Sequence, residues 1–169
     1  MDERGEAALK VRELSAKAFA PYGRVIEAPS RPGDASGPGW TWWAETVLLS
    51  GDGRPWGVGY LSLEPTDPRF DWAERHMRTL EAIVPMAGDA LVYVGPAEHP
   101  EEPARLPPLE RFEVFRVPAG TGVVMDRGVW HGAPFAADGP GAAMVLILEG
   151  TGRSDVTIVR FPPVAFERE

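Results

Sequence analysis

With no cysteine and only three histidines, this chain has few side chains able to move a proton or hold a metal near neutral pH. His76 lies in Glu74-Arg-His-Met-Arg-Thr-Leu-Glu81, and His131 ends Asp126-Arg-Gly-Val-Trp-His131. His99 sits in a proline-rich stretch beside Glu98, Glu101 and Glu102 and reads as a solvated loop residue. His76 and Arg78 are two apart, so on an extended strand they share a face, with Glu81 just beyond. Only Lys10 and Lys17 are lysines, and every other fixed cation is arginine, whose planar fork grips carboxylates. Each candidate also has a plain reading. His131 after Trp130 reads equally as a packed strand residue, and Asp126 before Arg127-Gly128 as a turn stabiliser.

The elements that would position these residues are mostly strands. The chain has 169 residues, 44% hydrophobic and 25% charged, which suits one domain over residues 1–169 with one core. Residues 1–10 read as a loose charged lead-in. Ser15 caps a short helix, Ala16 to Ala20, stopped by Pro21 and Gly23. Strands are expected at Arg24–Glu27, Trp40–Leu49, Trp56–Glu64, Leu80–Met86, Ala90–Val94, Arg111–Val117, Gly122–Met125, Met144–Leu148 and Asp155–Phe161. Residues Pro29 to Gly39 read as a loop, and the tryptophan-rich pair Trp40–Leu49 and Trp56–Glu64 as a hairpin. Many short strands with 19 glycines and 18 prolines fit an all-β barrel or sandwich. The net charge of −8 and the lack of a basic cluster argue against nucleic acid or an anionic membrane as partner. With no apolar spanning run and no apolar leader, a cytoplasmic address is expected.

The spacing of His76, Glu81 and Gly88 resembles the first motif of the cupin superfamily, with Arg78 in place of its second histidine. Pro118-x-Gly120 is similar to the second motif, with Val123 where its histidine would stand. A resemblance over nearly the whole chain is to the ureidoglycolate lyase family, once called ureidoglycolate hydrolase. It rests on Leu14 through Tyr22-Gly-Arg-Val-Ile-Glu27, on Glu74-Arg-His76 through Ile83-Val-Pro-Met-Ala-Gly88, and on Gly122 through Arg127-Gly-Val-Trp-His131. The resemblance implies a homodimeric, cupin-like double-stranded β-helix (jelly-roll) barrel with a short N-terminal helix. It implies cleavage of ureidoglycolate to glyoxylate and urea in allantoin breakdown, with a divalent metal, often nickel, and no organic cofactor. Asp126 and Gly132 stand where the family pattern has histidines, and Glu81 where enterobacterial members have glutamine.

Such a reaction needs a base, an acid and a cation for the substrate carboxylate. His76 and His131 suit the proton roles. Glu81 serves as base if burial raises its pKa, or else orients a histidine. Arg127 or Arg78 would hold the carboxylate. Alternatively, His76, Glu81, Asp126 and His131 make a nitrogen/oxygen set suited to nickel, manganese, iron or zinc. Arg78 and Val123 remove two usual ligands, and an inward Arg78 would repel a cation, so weak or partial metal binding is expected. Another cupin enzyme of small organic acids, or a non-catalytic cupin binding a small carboxylate, are the rival readings. Trp40, Trp42, Trp43 and Trp56 read as hairpin packing or a dimer face.

Overall fold

A computed structural model of the chain describes residues 8–168, and nearly every regular element in it is a strand. Five strands form an antiparallel sheet in the order β2 (Gly23–Ile26), β10 (Gly122–Met125), β7 (Glu81–Ala87), β13 (Gly141–Leu148) and β5 (Trp56–Leu63). Seven form the second large sheet, in the order β11 (Trp130–His131), β6 (Arg69–Arg75), β14 (Thr157–Glu167), β1 (Leu9–Glu13), β9 (Glu113–Val117), β8 (Ala90–Gly95) and β12 (Phe135–Ala136). The two-residue β11 bonds β8 as well as β6, so this sheet curls until it meets itself. The fold is the all-β, cupin-like architecture expected from the sequence. No helix among the described residues is long and apolar enough to cross a membrane.

Two apolar cores follow from this shape. Between the sheets pack Phe19, Tyr22, Ile83, Val92, Phe115, Val123 and Met125. Inside the curl of the seven-stranded sheet pack Phe70, Tyr93, Phe112, Val114, Trp130 and Phe166. Strand β8 serves both, which is why all six of its residues are buried and its sequence, Ala-Leu-Val-Tyr-Val-Gly, is an unbroken apolar run. The helix α1 (Ala16–Phe19) begins at Ser15, whose hydroxyl accepts from the Ala18 amide at 3.1 Å, and it drives Phe19 into the first core.

Three expectations are corrected. Leu9 and Lys10 are not a loose lead-in but belong to β1, which lies between β14 and β9 and runs parallel to both; residues 1–7 lie outside the described part. The tryptophan-rich hairpin does not form. Trp40–Trp42 (β4) pairs instead with β3 (Ala35–Gly37) across Gly39, whose φ of 81° makes the tight reversal, while β5 pairs with β13 along its full length. The segment after β4 crosses the outer face as a strap, covering Leu80, Ala82 and Val124 with Val47 and Leu49. Finally, Arg69–Arg75 is a strand that the charged sequence concealed.

Gly132, where a histidine would follow His131, is fixed by packing. A Cβ there would lie 1.7 Å from the Tyr93 hydroxyl oxygen, which donates to the Trp72 carbonyl at 2.8 Å. Gly132→Ala is expected to cost about 1–3 kcal/mol of stability through overpacking, read by urea denaturation. An unchanged midpoint would mean that the tyrosine yields freely.

Candidate active site

Three chain segments deliver His76, Glu81 and His131 to one point. Cross-strand partners share a face, and His131 is paired with both Glu74 and Val94. Val94 belongs to the core between the sheets, so His131 and Glu74 point that way too. Glu81 opens β7 and answers from the five-stranded sheet. His76 follows the last residue of β6 and is held by a turn: its Nδ1 donates to the Asp155 carbonyl at 2.6 Å, and its own carbonyl accepts from Gly128 N at 2.7 Å. His131 Nδ1 donates to the Val129 carbonyl at 2.9 Å. A carbonyl can only accept, so both Nδ1 atoms carry hydrogens. The two Nε2 atoms are left facing Glu81 Oε2, His76 at 3.2 Å and His131 at 3.3 Å, with the ring centres 5.4 Å apart.

The electrostatics reverse one expectation. Burial pushes the Glu81 carboxyl up, but the charge of His131 and hydrogen bonds from both imidazoles outweigh it and hold the group down at about 2. Glu81 is therefore an ionised partner for the histidines. Burial likewise opposes the charged imidazoles, yet Glu81 raises both above the usual value, by hydrogen bond to His76 and chiefly by charge at His131. Glu74 adds to the rise at His131.

A second buried cation braces the cluster from behind. Arg75 is 1% exposed, and its guanidinium lies 4.6 Å from the Trp130 ring centre. It donates to the carbonyls of Glu98, His99, Glu102 and Pro103 at 2.6–3.0 Å. One side chain thus ties the proline-rich excursion to the curl of the sheet. Arg75 and Trp130 immediately precede His76 and His131, so this stack fixes the spacing of the two imidazoles.

The other sequence candidates lie elsewhere. Arg78 does not share a face with His76, because Asp155 accepts both the Met77 and Arg78 amides at 3.1 and 2.7 Å and turns the chain there. Its exposed guanidinium donates to the Ser154 carbonyl. Arg127 is exposed, donating to the carbonyls of Arg78 and Ser50. Asp126 is also exposed and ion-paired with Arg24 at 3.5 Å, so it is no part of the donor set. Glu74 was missed. The alternation applied to His76 and Arg78 in fact relates Glu74 to His76, and oxygen and nitrogen atoms of Glu74, His76 and His131 lie within 4.8 Å of one another.

The remaining set fits a metal. In the neutral form both Nε2 atoms present lone pairs to a carboxylate oxygen, an arrangement needing protons or a cation between them. Separations of 3.2 and 3.3 Å suit neighbouring ligands on a first-row ion with bonds of ~2.0–2.2 Å, and both Nδ1 atoms have the carbonyl partners that orient metal-binding histidines. Arg78 points away and does not repel such an ion. Room for a small molecule adjoins the cluster. Glu81, Ile147 and Gly57 form one cross-strand row, and Ile83, Val145 and Gly59 the next. The two glycines are exposed, and a Cβ on either would meet nothing closer than 3.4 Å. A separate cleft of about 360 Å³ is lined by Leu61, Trp72 and Ala133, and its lining includes none of the three clustered residues.

Linkage sets a pH window for the metal-free protein. The lowered Glu81 contributes stability present above its unfolded value of 4.5 and lost as pH falls through about 2. The raised histidines contribute stability that is full below 6.5 and lost as pH rises through their folded values. Melting temperature is expected to peak between pH 4.5 and 6.5 and to decline on the alkaline side. Glu81→Gln should flatten that profile, and an unaltered profile in the variant would show that pH acts elsewhere.

No curated protein matches the chain. The family model for ureidoglycolate lyase matches residues 6–166, which takes in every element that builds the cluster. The chain belongs to the ureidoglycolate lyase family, cupin-fold enzymes whose reaction is the cleavage of ureidoglycolate to glyoxylate and urea.

Proposed function

We propose that the cluster of His76, Glu81 and His131 is the centre at which this chain splits ureidoglycolate. The observation that carries the reading is the convergence of two Nε2 atoms on one buried carboxylate, with both Nδ1 atoms already committed to carbonyls. The substrate is a carbinolamide bearing a carboxylate. Cleavage removes its hydroxyl proton, forms the carbonyl of glyoxylate, breaks the C–N bond and delivers a proton to the departing urea nitrogen. No water or redox partner is consumed.

The Nε2 atoms are the ones free to exchange protons. A neutral Nε2 takes the hydroxyl proton, and an imidazolium Nε2–H supplies one to the leaving nitrogen. Glu81, ionised throughout, orients both rings and stabilises whichever is charged. In the reacting form one imidazole is neutral and the other protonated, so the imidazolium balances Glu81 and is the positive group that a substrate carboxylate meets; Arg78 and Arg127 stand outside the cluster. The same His76, Glu81 and His131 atoms would hold a divalent metal, nickel being the one the family resemblance implies, and it would supply a Lewis acid to polarise substrate oxygens. The setting is cytoplasmic breakdown of allantoin-derived nitrogen.

His131→Asn should lower glyoxylate release from racemic ureidoglycolate by about 10²–10⁴-fold and also weaken substrate-analogue binding, because the same imidazole moves a proton and faces the anion. Wild-type turnover in that variant would make His131 a packed core residue and nothing more.

A homodimer is part of the same reading. Val58 and Tyr60 are 66% and 74% exposed on the outer face of β5, in rows with Leu146 and Met144. Met86, Trp40 and Trp42 extend the apolar exposure, and β5 has a free edge within its sheet. Light scattering is expected to give the mass of two chains for the wild type and of one for Tyr60→Glu. A monomeric wild type would sink the assembly.

A further inference from the structure

Glu74 has no part in the proton traffic described above, yet it is the acidic group nearest to it. It is half-buried, faces the space between the sheets beside His131, and has no hydrogen-bond or ion-pair partner among the described residues. Its neighbour in register on β14 is Ile158, which is 56% exposed, so this wall of the site is open and apolar where Glu74 stands. The contrast with Glu81 is chemical. Glu81 takes hydrogen bonds from two imidazoles, whereas Glu74 presents its acceptor oxygens to whatever enters.

A ureido acid has two unlike ends. One is a carboxylate that only accepts hydrogen bonds. The other is a ureido group whose N–H bonds point the same way in a planar unit, the pattern that a carboxylate accepts two at a time. The imidazole nitrogens and the unpartnered Glu74 carboxylate lie within 4.8 Å of one another, close enough for one small molecule to touch both. A substrate entering with its carboxylate toward Glu74 would set acceptor against acceptor, while the reverse orientation turns the ureido N–H groups to Glu74 and the carboxylate to the imidazoles. That orientation also puts the carbinol carbon and its C–N bond between the two ends, next to the Nε2 atoms. We propose that Glu74 is the specificity-determining residue of this enzyme, accepting the N–H hydrogen bonds of the substrate's ureido group and so orienting it.

The inference rests on the functional reading above, and binding without turnover separates the two. N-carbamoylglycine carries the carboxylate and ureido group but has no hydroxyl to react. Glycolate carries a carboxylate and no ureido group. Calorimetry on the full chain is expected to show Glu74→Gln weakening N-carbamoylglycine at least about tenfold, as loss of charge-assisted bonds would. Glycolate should stay within about twofold of wild type, and Glu74→Asp, which keeps the charge, should lie between wild type and Glu74→Gln for N-carbamoylglycine. Equal weakening of both ligands, or no weakening of either, overturns the assignment. Glyoxylate release by the wild type tests the reaction on its own: selective loss of ureido binding with no wild-type turnover would fail the functional reading and leave the recognition role of Glu74 standing.

Discussion

A carboxylate shut away from water must be matched by positive charge or by hydrogen bonds, and Glu81 is so placed. Its position at the start of β7, facing inward, makes the rest of the site necessary. Two imidazoles supply the hydrogen bonds, and each is held by a carbonyl on its far side so that its Nε2 cannot turn away. Those carbonyls belong to Asp155 and Val129, which sit just before β14 and β11, so the strand connections themselves fix the tautomers. Removing one imidazole would leave Glu81 buried with half of its compensation, a far larger penalty than the loss of a surface ion pair.

The same constraint accounts for the odd geometry of β11. Two residues make a poor strand, but these two bond to β6 and β8 together and thereby close the sheet. Trp130 turns into the enclosed core, and His131 turns toward Glu81. Arg75 then stacks on Trp130 and gathers four carbonyls of the proline-rich excursion, although it has no carboxylate partner within hydrogen-bond reach among the described residues. Burying a guanidinium this way is sensible only if those carbonyls would otherwise lack donors. Stability of the excursion and placement of the histidines are therefore parts of one arrangement.

Much of this was legible in the sequence, and the failures have physical causes. His76, Glu81 and His131 stood out because so few titratable groups of their kind were available, and a superfamily spacing tied two of them together. Strands β8 and β10 were legible as apolar runs between turn residues, and β7 and β9 as apolar stretches interrupted only by Glu81, or by Glu113 and Arg116. Strand β6, Arg-Phe-Asp-Trp-Ala-Glu-Arg, was hidden because it mixes a buried arginine with a half-buried glutamate and an exposed aspartate. Reading His76 to Arg78 as extended put Arg78 on the site face and left Glu74 off it, whereas the strand ends at Arg75. The supposed hairpin failed because aromatic content signals a strand without naming its partner, and the long edge of β13 outcompeted a three-residue neighbour for β5. Asp126 and Arg127 were read from a block that does build the site, but they occupy its turn, where side chains face solvent.

The outward placement of Arg78 and Arg127 has a consequence for how the interior treats an anion. A fixed guanidinium in the pocket would hold a carboxylate at every pH and at every stage of the reaction. In the proposed mechanism the positive charge comes instead from an imidazole whose proton is itself transferred, or from a metal that His76, Glu81 and His131 would hold. In the proton form of that proposal, the imidazole charge falls by one as a proton passes to the leaving nitrogen and is restored when the other ring takes the hydroxyl proton. On that scheme the cluster ends each cleavage with the charge it began with, and the buried carboxylate of Glu81 balances the imidazolium in a place that solvent does not reach.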